Sequence, residues 1–228
     1  MPPLRVLIEA GQKRVFACAL DVVGLARSGR TEAEAIEALR RALPRYAEVA
    51  NEADLRVPLD GAEIEVVKRV AGNATTDFGA PGIAGEADRA RLSKAEAGRQ
   101  GKLVAAAWQV FQRTVAQAPE GLRKGPRGGG RDRSKIVEHL EGADRGYAGA
   151  MGLRHTGDNR RSIEDVRAEM VEILSQASDG SPLGGKRWPS RYAARRVAWH
   201  ALDHAWEIED RRQPSVTVPG PADRSEPG

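Results

Sequence analysis

The segment from Trp199 to Asp210 reads WHALDHAWEIED. It has no glycine, no proline and no run of β-branched residues, and its apolar positions recur at spacings of three and four, so it is read as helix. His200 and His204 stand at i and i+4 and therefore share one face, with Cβ atoms about 5–6 Å apart. At 100° per residue Ala193, Val197, Ala201 and Ile208 flank them, so the pair is expected to face an apolar interior. Imidazoles at this spacing can share one divalent ion. A helix that buries such a face needs other helices around it, and that requirement directs the reading of the rest of the chain.

Three further helices are expected upstream. Arg91 to Ala118 carries Leu103, Ala106, Ala107, Val110, Phe111 and Val115 on one stripe. Ser134 is read as the cap of a second helix running to Met151, with Ile136, Leu140, Ala143, Tyr147 and Met151 on one face. Ser162 opens a third, ending near Ser178, with Val166, Met170, Ile173 and Leu174 inward. The fourth spans about Pro189 to Arg211, with Pro189 in its first turn. Together they predict a four-helix bundle over residues 92–212. His139 lies at or beside the buried stripe of the second helix, so two helices can bring His139, His200 and His204 together. Three neutral imidazoles are enough for a metal site. His155 falls past the end of its helix and is not part of the set. Asp203 and Glu207 are either acceptors for a ring N–H or acids that balance Arg195, Arg196 and Arg211. Arg191, Arg195 and Arg196 either attract an anionic substrate or form a solvated helix face; the second is the expectation. Tyr192, Trp199 and Trp206 point away from the histidines and are expected to pack against neighbouring structure. No catalytic residue is assigned.

Two stretches carry a resemblance. SKIVEHLEGADRGY, from Ser134 to Tyr147, and RYAARRVAWHALDHAWE, from Arg191 to Glu207, together with the four-helix pattern, resemble the DinB and YfiT-like metalloenzyme superfamily over residues 92–212. The resemblance puts a metal triad on His139, His200 and His204. It implies a divalent metal such as zinc, nickel or iron, and metal-dependent transferase or hydrolase chemistry on a small-molecule substrate. It also implies the use of a low-molecular-weight thiol such as mycothiol. The thiol would have to be a cofactor, because the chain has no well-placed cysteine.

Upstream the period changes. Leu4 to Ala10 and Val15 to Leu20 are read as strands joined by a turn at Gly11 to Arg14, and Gly24 to Gly29 can hold a third. Thr31, with Glu34 three positions on, is a capping box that opens a helix over about 31–52, with a kink or early break at Pro44. Leu55 to Pro58 and Ala62 to Val70 read as extended. Residues 1–72 are thus expected to form a small α+β module of ββ(β)αβ order, followed by a linker over 73–91 and then the all-α bundle; residues 213–228 are expected to be a disordered tail. The stretch GLARSGRTEAEAIEAL, from Gly24 to Leu39, resembles HicB-like domains. That resemblance implies a partner-binding role, with a small protein or a second copy of the chain as partner. The alternative function is therefore a non-catalytic HicB-like antitoxin or partner-binding protein whose bundle is structural. Cys18, inside an apolar strand, is expected to be a buried small hydrophobe.

The 228 residues are 40% hydrophobic and 30% charged, enough to bury a core. The net charge of +4 is mild. Residues 1–85 carry 11 basic and 12 acidic side chains, and the remainder 25 and 20, so the first part has no phosphate-binding field of its own. The basic run Arg123 to Arg133 has no aromatic residue to stack on a base, and nucleic acid is not an expected partner. A single cysteine excludes an intramolecular disulfide. No apolar run suits a membrane span and MPPLRVLIEA lacks a cleavage pattern, so the expected location is the cytoplasm.

Overall fold

The computed structural model describes residues 3–57, 59, 61–124, 129–153 and 161–212. Within them the chain is mixed α+β, with a four-stranded sheet and seven α-helices. The strands are β1 (Leu4–Ala10), β2 (Val15–Ala19), β3 (Ala26–Gly29) and β4 (Ile64–Ala71), in spatial order β3-β2-β1-β4. β1 and β2 are antiparallel, with Leu7 opposite Cys18 and Ile8 opposite Ala17, whereas β1 and β4 run parallel. Alternation places Val6, Ile8, Ala17 and Ala19 on one face, in the core shared with the helices. Leu7, Phe16 and Cys18 lie on the other face, against Ala80 and Trp199. Cys18 is 1% exposed, and burial pushes its thiol up to about 12, so it packs as the small hydrophobe expected of it.

Thr31 caps α1 (Glu32–Ala42) by accepting from the Glu34 amide at 3.2 Å, while Glu34 reaches back to the Arg30 amide at 2.7 Å. Pro44 breaks the predicted long helix outright, and α2 (Tyr46–Glu52) follows as a separate element. Leu55 to Val57 form no strand, and Pro58 lies outside the described residues.

The expected linker is built structure. It holds α3 (Ala74–Phe78) and a 3₁₀ turn over Glu86–Arg89. Asn73 caps α3 through its side chain, and Thr76 bonds back to the Asn73 amide. The fully buried Glu9 of β1 receives Thr76 Oγ1, and its carboxylate also accepts from the amides of Gly82 at 2.8 Å and Ile83 at 3.1 Å. Glycines and polar residues read as a loop because they carry no period; here their backbone donors satisfy a buried carboxylate.

Four long helices follow: α4 (Lys94–Gln117), α5 (Arg133–Ala150), α6 (Ile163–Leu174) and α7 (Ser190–Arg211). α4 packs on α6 and α7, and α5 packs on the same two. Ser93 and Glu96 form the box that starts α4. Asp132 rather than Ser134 is the cap of α5; Ser134 lies inside the first turn and donates its hydroxyl to Glu120 at 2.6 Å. α6 ends at Leu174, short of the expected Ser178, because Ser178 instead pairs its backbone with Leu92. Pro189 stands just before α7 as its cap. The buried stripe of α5, Ile136, Leu140, Asp144 and Ala148, includes one charged residue: Asp144 forms an ion pair at 2.9 Å with the buried Arg167 of α6.

The sheet and the helices share one core cluster running from Val6 and Leu39 through Val104 to Ala201. Gly24, at φ +85°, brings the β2–β3 corner against α7. A Cβ there would lie 2.7 Å from that of Ala198. No helix among the described residues is long and apolar enough to cross a membrane. His155 and the expected tail over 213–228 lie outside the described residues.

Candidate metal centre

α7 has 22 residues, 15 of them buried, as suits a helix that packs on α4, α5 and α6 and touches the sheet through Trp199 and Phe16. His200 and His204 are each 7% exposed on it. α5 packs alongside and presents the half-buried His139 between Ile136 and Leu140. The His139 ring lies 5.1 Å from each of the other two, nearly perpendicular to both. One ligating nitrogen from each ring lies within 4.8 Å of the others, and the Nε2 atoms of His200 and His204 are 3.1 Å apart. Nitrogens on a tetrahedral ion with bonds near 2.1 Å stand about 3.4 Å apart. The three histidines are therefore close enough to hold a metal ion.

The donor set fits one chemically. Imidazole ligates only when neutral. Burial lowers the pKa of His200 to about 2, and the neighbouring His204, Arg196 and His139 push it the same way. His139 is lowered as well, first by burial and then by Arg131 and His204. The far nitrogens of the α7 pair have partners. His204 Nδ1 is 2.8 Å from Glu207 Oε2, whose other oxygen holds Arg211. His200 Nδ1 lies 3.4 Å from the hydroxyl of Tyr147, on α5. Such partners fix which nitrogen carries the ring proton.

The two acids left open by the sequence separate here. Glu207 is the acceptor for a ring N–H. Asp203 faces the other way and pairs with Arg27 at 2.8 Å, while the Arg27 guanidinium lies 4.2 Å above the Trp206 ring. The arginines at the start of α7 are not a solvated face. Arg195 is buried in a two-pronged pair with Asp88 at 2.9 and 2.7 Å, and Arg191 binds Glu96 and the Arg91 carbonyl. Arg196 lies over the rings of Tyr147 and Trp199, 5.4 and 4.9 Å from their centroids. Tyr192 and Trp206 pack against neighbouring structure as expected, Tyr192 donating its hydroxyl to the Pro81 carbonyl. Trp199 does the same against Phe16, but its other contact is with the site, where it stacks on His200 at 5.8 Å.

The sequence reading missed Tyr147, Trp199 and Arg196 as neighbours of the histidines. Tyr147 carried a signal, since it follows His139 by eight residues and returns to the same side of α5. In the basic loop, Arg123 donates to the Asp210 carbonyl, Lys124 pairs with Asp132 and Arg133 pairs with Glu120, so these three cations are tied to protein. This chain matches no family model, no curated protein and no solved structure.

Proposed function

We propose that this chain is a DinB-like metal-dependent enzyme, a transferase or hydrolase acting on a small molecule, with zinc, nickel or iron held by His139, His200 and His204. A low-molecular-weight thiol such as mycothiol is the proposed co-substrate. The observation that carries this reading is the convergence of three imidazoles from α5 and α7. A divalent ion held by such a set supplies a Lewis acid that lowers the pKa of a coordinated water or thiol toward neutrality.

The chain's own residues prepare the ligands. With its proton on Nδ1 and donated to Glu207, His204 turns the lone pair of Nε2 toward His200. Ligation through His200 Nε2 requires the proton of that ring on Nδ1, where the Tyr147 oxygen is the acceptor at hand. The rings of Trp199 and Tyr147 lie against His200, which is buried.

Metal content tests the proposal. Protein purified without a metal-binding tag is expected to carry about one zinc, nickel or iron per chain, and His200→Ala and His204→Ala to lose it with the circular dichroism unchanged. A metal-free wild type that also fails to take up added zinc overturns the reading.

One observation favours a second reading for the N-terminal part. β4 is an edge strand, and the register shift at Val66 and Lys68 leaves Val67 40% exposed. An open edge of this kind suits pairing with a small protein or a second copy, as the HicB-like resemblance implies. Recovery of a small protein in a pull-down that is lost on Val67→Lys supports it.

A further inference from the structure

We propose that Arg196 is the anion anchor of the histidine site, and that the site takes a small molecule bearing a carboxylate. Deepening the metal-enzyme reading, this inference rests on it for the position of the ligand's other end.

The argument starts from the pairing of charges. On α7, Arg191, Arg195 and Arg211 each have a carboxylate partner, namely Glu96, Asp88 and Glu207. Arg27, Arg45, Arg113 and Arg167 are paired in the same way elsewhere. Arg196 has neither a hydrogen bond nor an acidic partner among the described residues, and its Nη1 is buried without an acceptor. The indole N–H of Trp199, on the ring beneath it, is also buried without an acceptor. Leaving such donors unmet is costly, and each calls for an acceptor that the described residues do not supply.

The surroundings define that acceptor. The guanidinium lies over the rings of Tyr147 and Trp199, which attract its charge but offer no carboxylate oxygen to its N–H groups. The edge of a guanidinium matches a planar carboxylate, and one unpaired cation balances one negative charge. The same two aromatic rings are those that contact His200. Arg196 and His200 are four residues apart, about 6 Å along the helix axis. A molecule of a few heavy atoms can therefore place its carboxylate on Arg196 and its other end at the histidines. Arg131, whose charge also bears on His139 and His200, adds to the positive field.

The experiment uses the full chain loaded with cobalt(II), and mercaptopropionate against mercaptopropanol, a pair that differs only in carboxylate against alcohol. Cobalt uptake is read first, from the visible spectrum, and is expected to be equal in wild type, Arg196→Gln and Arg196→Lys. The thiolate charge-transfer band then reports binding. The wild type is expected to prefer the carboxylate about tenfold to a hundredfold. Arg196→Gln is expected to abolish that preference, and Arg196→Lys, which keeps charge without the planar fork, to retain part of it. Cobalt uptake with equal affinity for both probes overturns the anion anchor while leaving the metal reading intact, as does a preference that survives Arg196→Gln. If cobalt is not taken up, the metal reading fails. The two probes are then compared on the metal-free chain through tryptophan fluorescence, and equal binding there overturns the anchor as well. Inorganic phosphate that competes as well as the carboxylate probe overturns the assignment to a carboxylate.

Discussion

His204 and Glu207 lie one turn apart on α7, with Nδ1 and Oε2 2.8 Å from each other, and Arg211 holds the other carboxylate oxygen in place. The contact orients the ring so that the opposite nitrogen faces His200 and His139. It also makes Glu207 the residue through which the site can be weakened without touching a ligand. Glu207→Gln keeps the shape but not the charge. We expect metal affinity to fall about 10–100-fold, with little change in the unfolding temperature of the metal-free chain. Competition with a coloured chelator checks it; an unchanged affinity removes Glu207 from the site.

Binding to the folded chain alone stabilises it. Zinc at about a hundred times its Kd adds about 2.7 kcal/mol. At about 2–4 °C per kcal/mol for a chain of this size, the melting temperature should rise by about 5–10 °C. Scanning fluorimetry with zinc, and with a chelator added afterwards, reads the effect. His200→Ala and His204→Ala should show no rise.

Asp144 gives a pH dependence. Burial pushes its carboxyl up to about 6, although Arg167 pulls the other way. The folded value thus exceeds the unfolded one, near 3.9. Between these values the native state holds the proton more tightly, so this group's stabilising contribution is complete below about pH 4 and is lost as the pH rises through about 6. Urea titrations from pH 4 to 7 should show that decline, and Asp144→Asn should flatten it.

Asp88 ties the segment between the sheet and the helices to α7 through the buried Arg195. Asp88→Ala leaves a buried cation alone, and we expect a loss of about 3–5 kcal/mol. The exposed pair of Glu37 and Arg40 offers the control, since Glu37→Ala should cost less than about 1 kcal/mol. Chemical denaturation of both variants provides the comparison. Equal losses would show that the Asp88 pair adds no more than a surface one.

The elements of this chain were largely legible because their signals are local. Thr31 and Ser162 announce helices by accepting from amides three residues on. Pro44 announces a break because it has no amide to give. Where a signal depended on a distant partner the reading failed. Residues 73–91 read as a linker, since nothing in their own pattern reveals that Glu9, more than sixty residues upstream, receives Thr76, Gly82 and Ile83. Ser134 reads as a cap, yet its hydroxyl is engaged by Glu120.

By itself, the sequence determined that His200 and His204 share a face, because four residues make about one turn of any α-helix. It determined also that Cys18 sits in an apolar strand. Only the tertiary structure decided that His139 meets that pair, that Glu207 and not Asp203 serves it, and that Arg195 is neutralised while Arg196 is not. The periodicity of a helix is a property of its own backbone. The rotation and register of one helix against another are set by the packing of every side chain between them, and so are written in no single stretch of the chain.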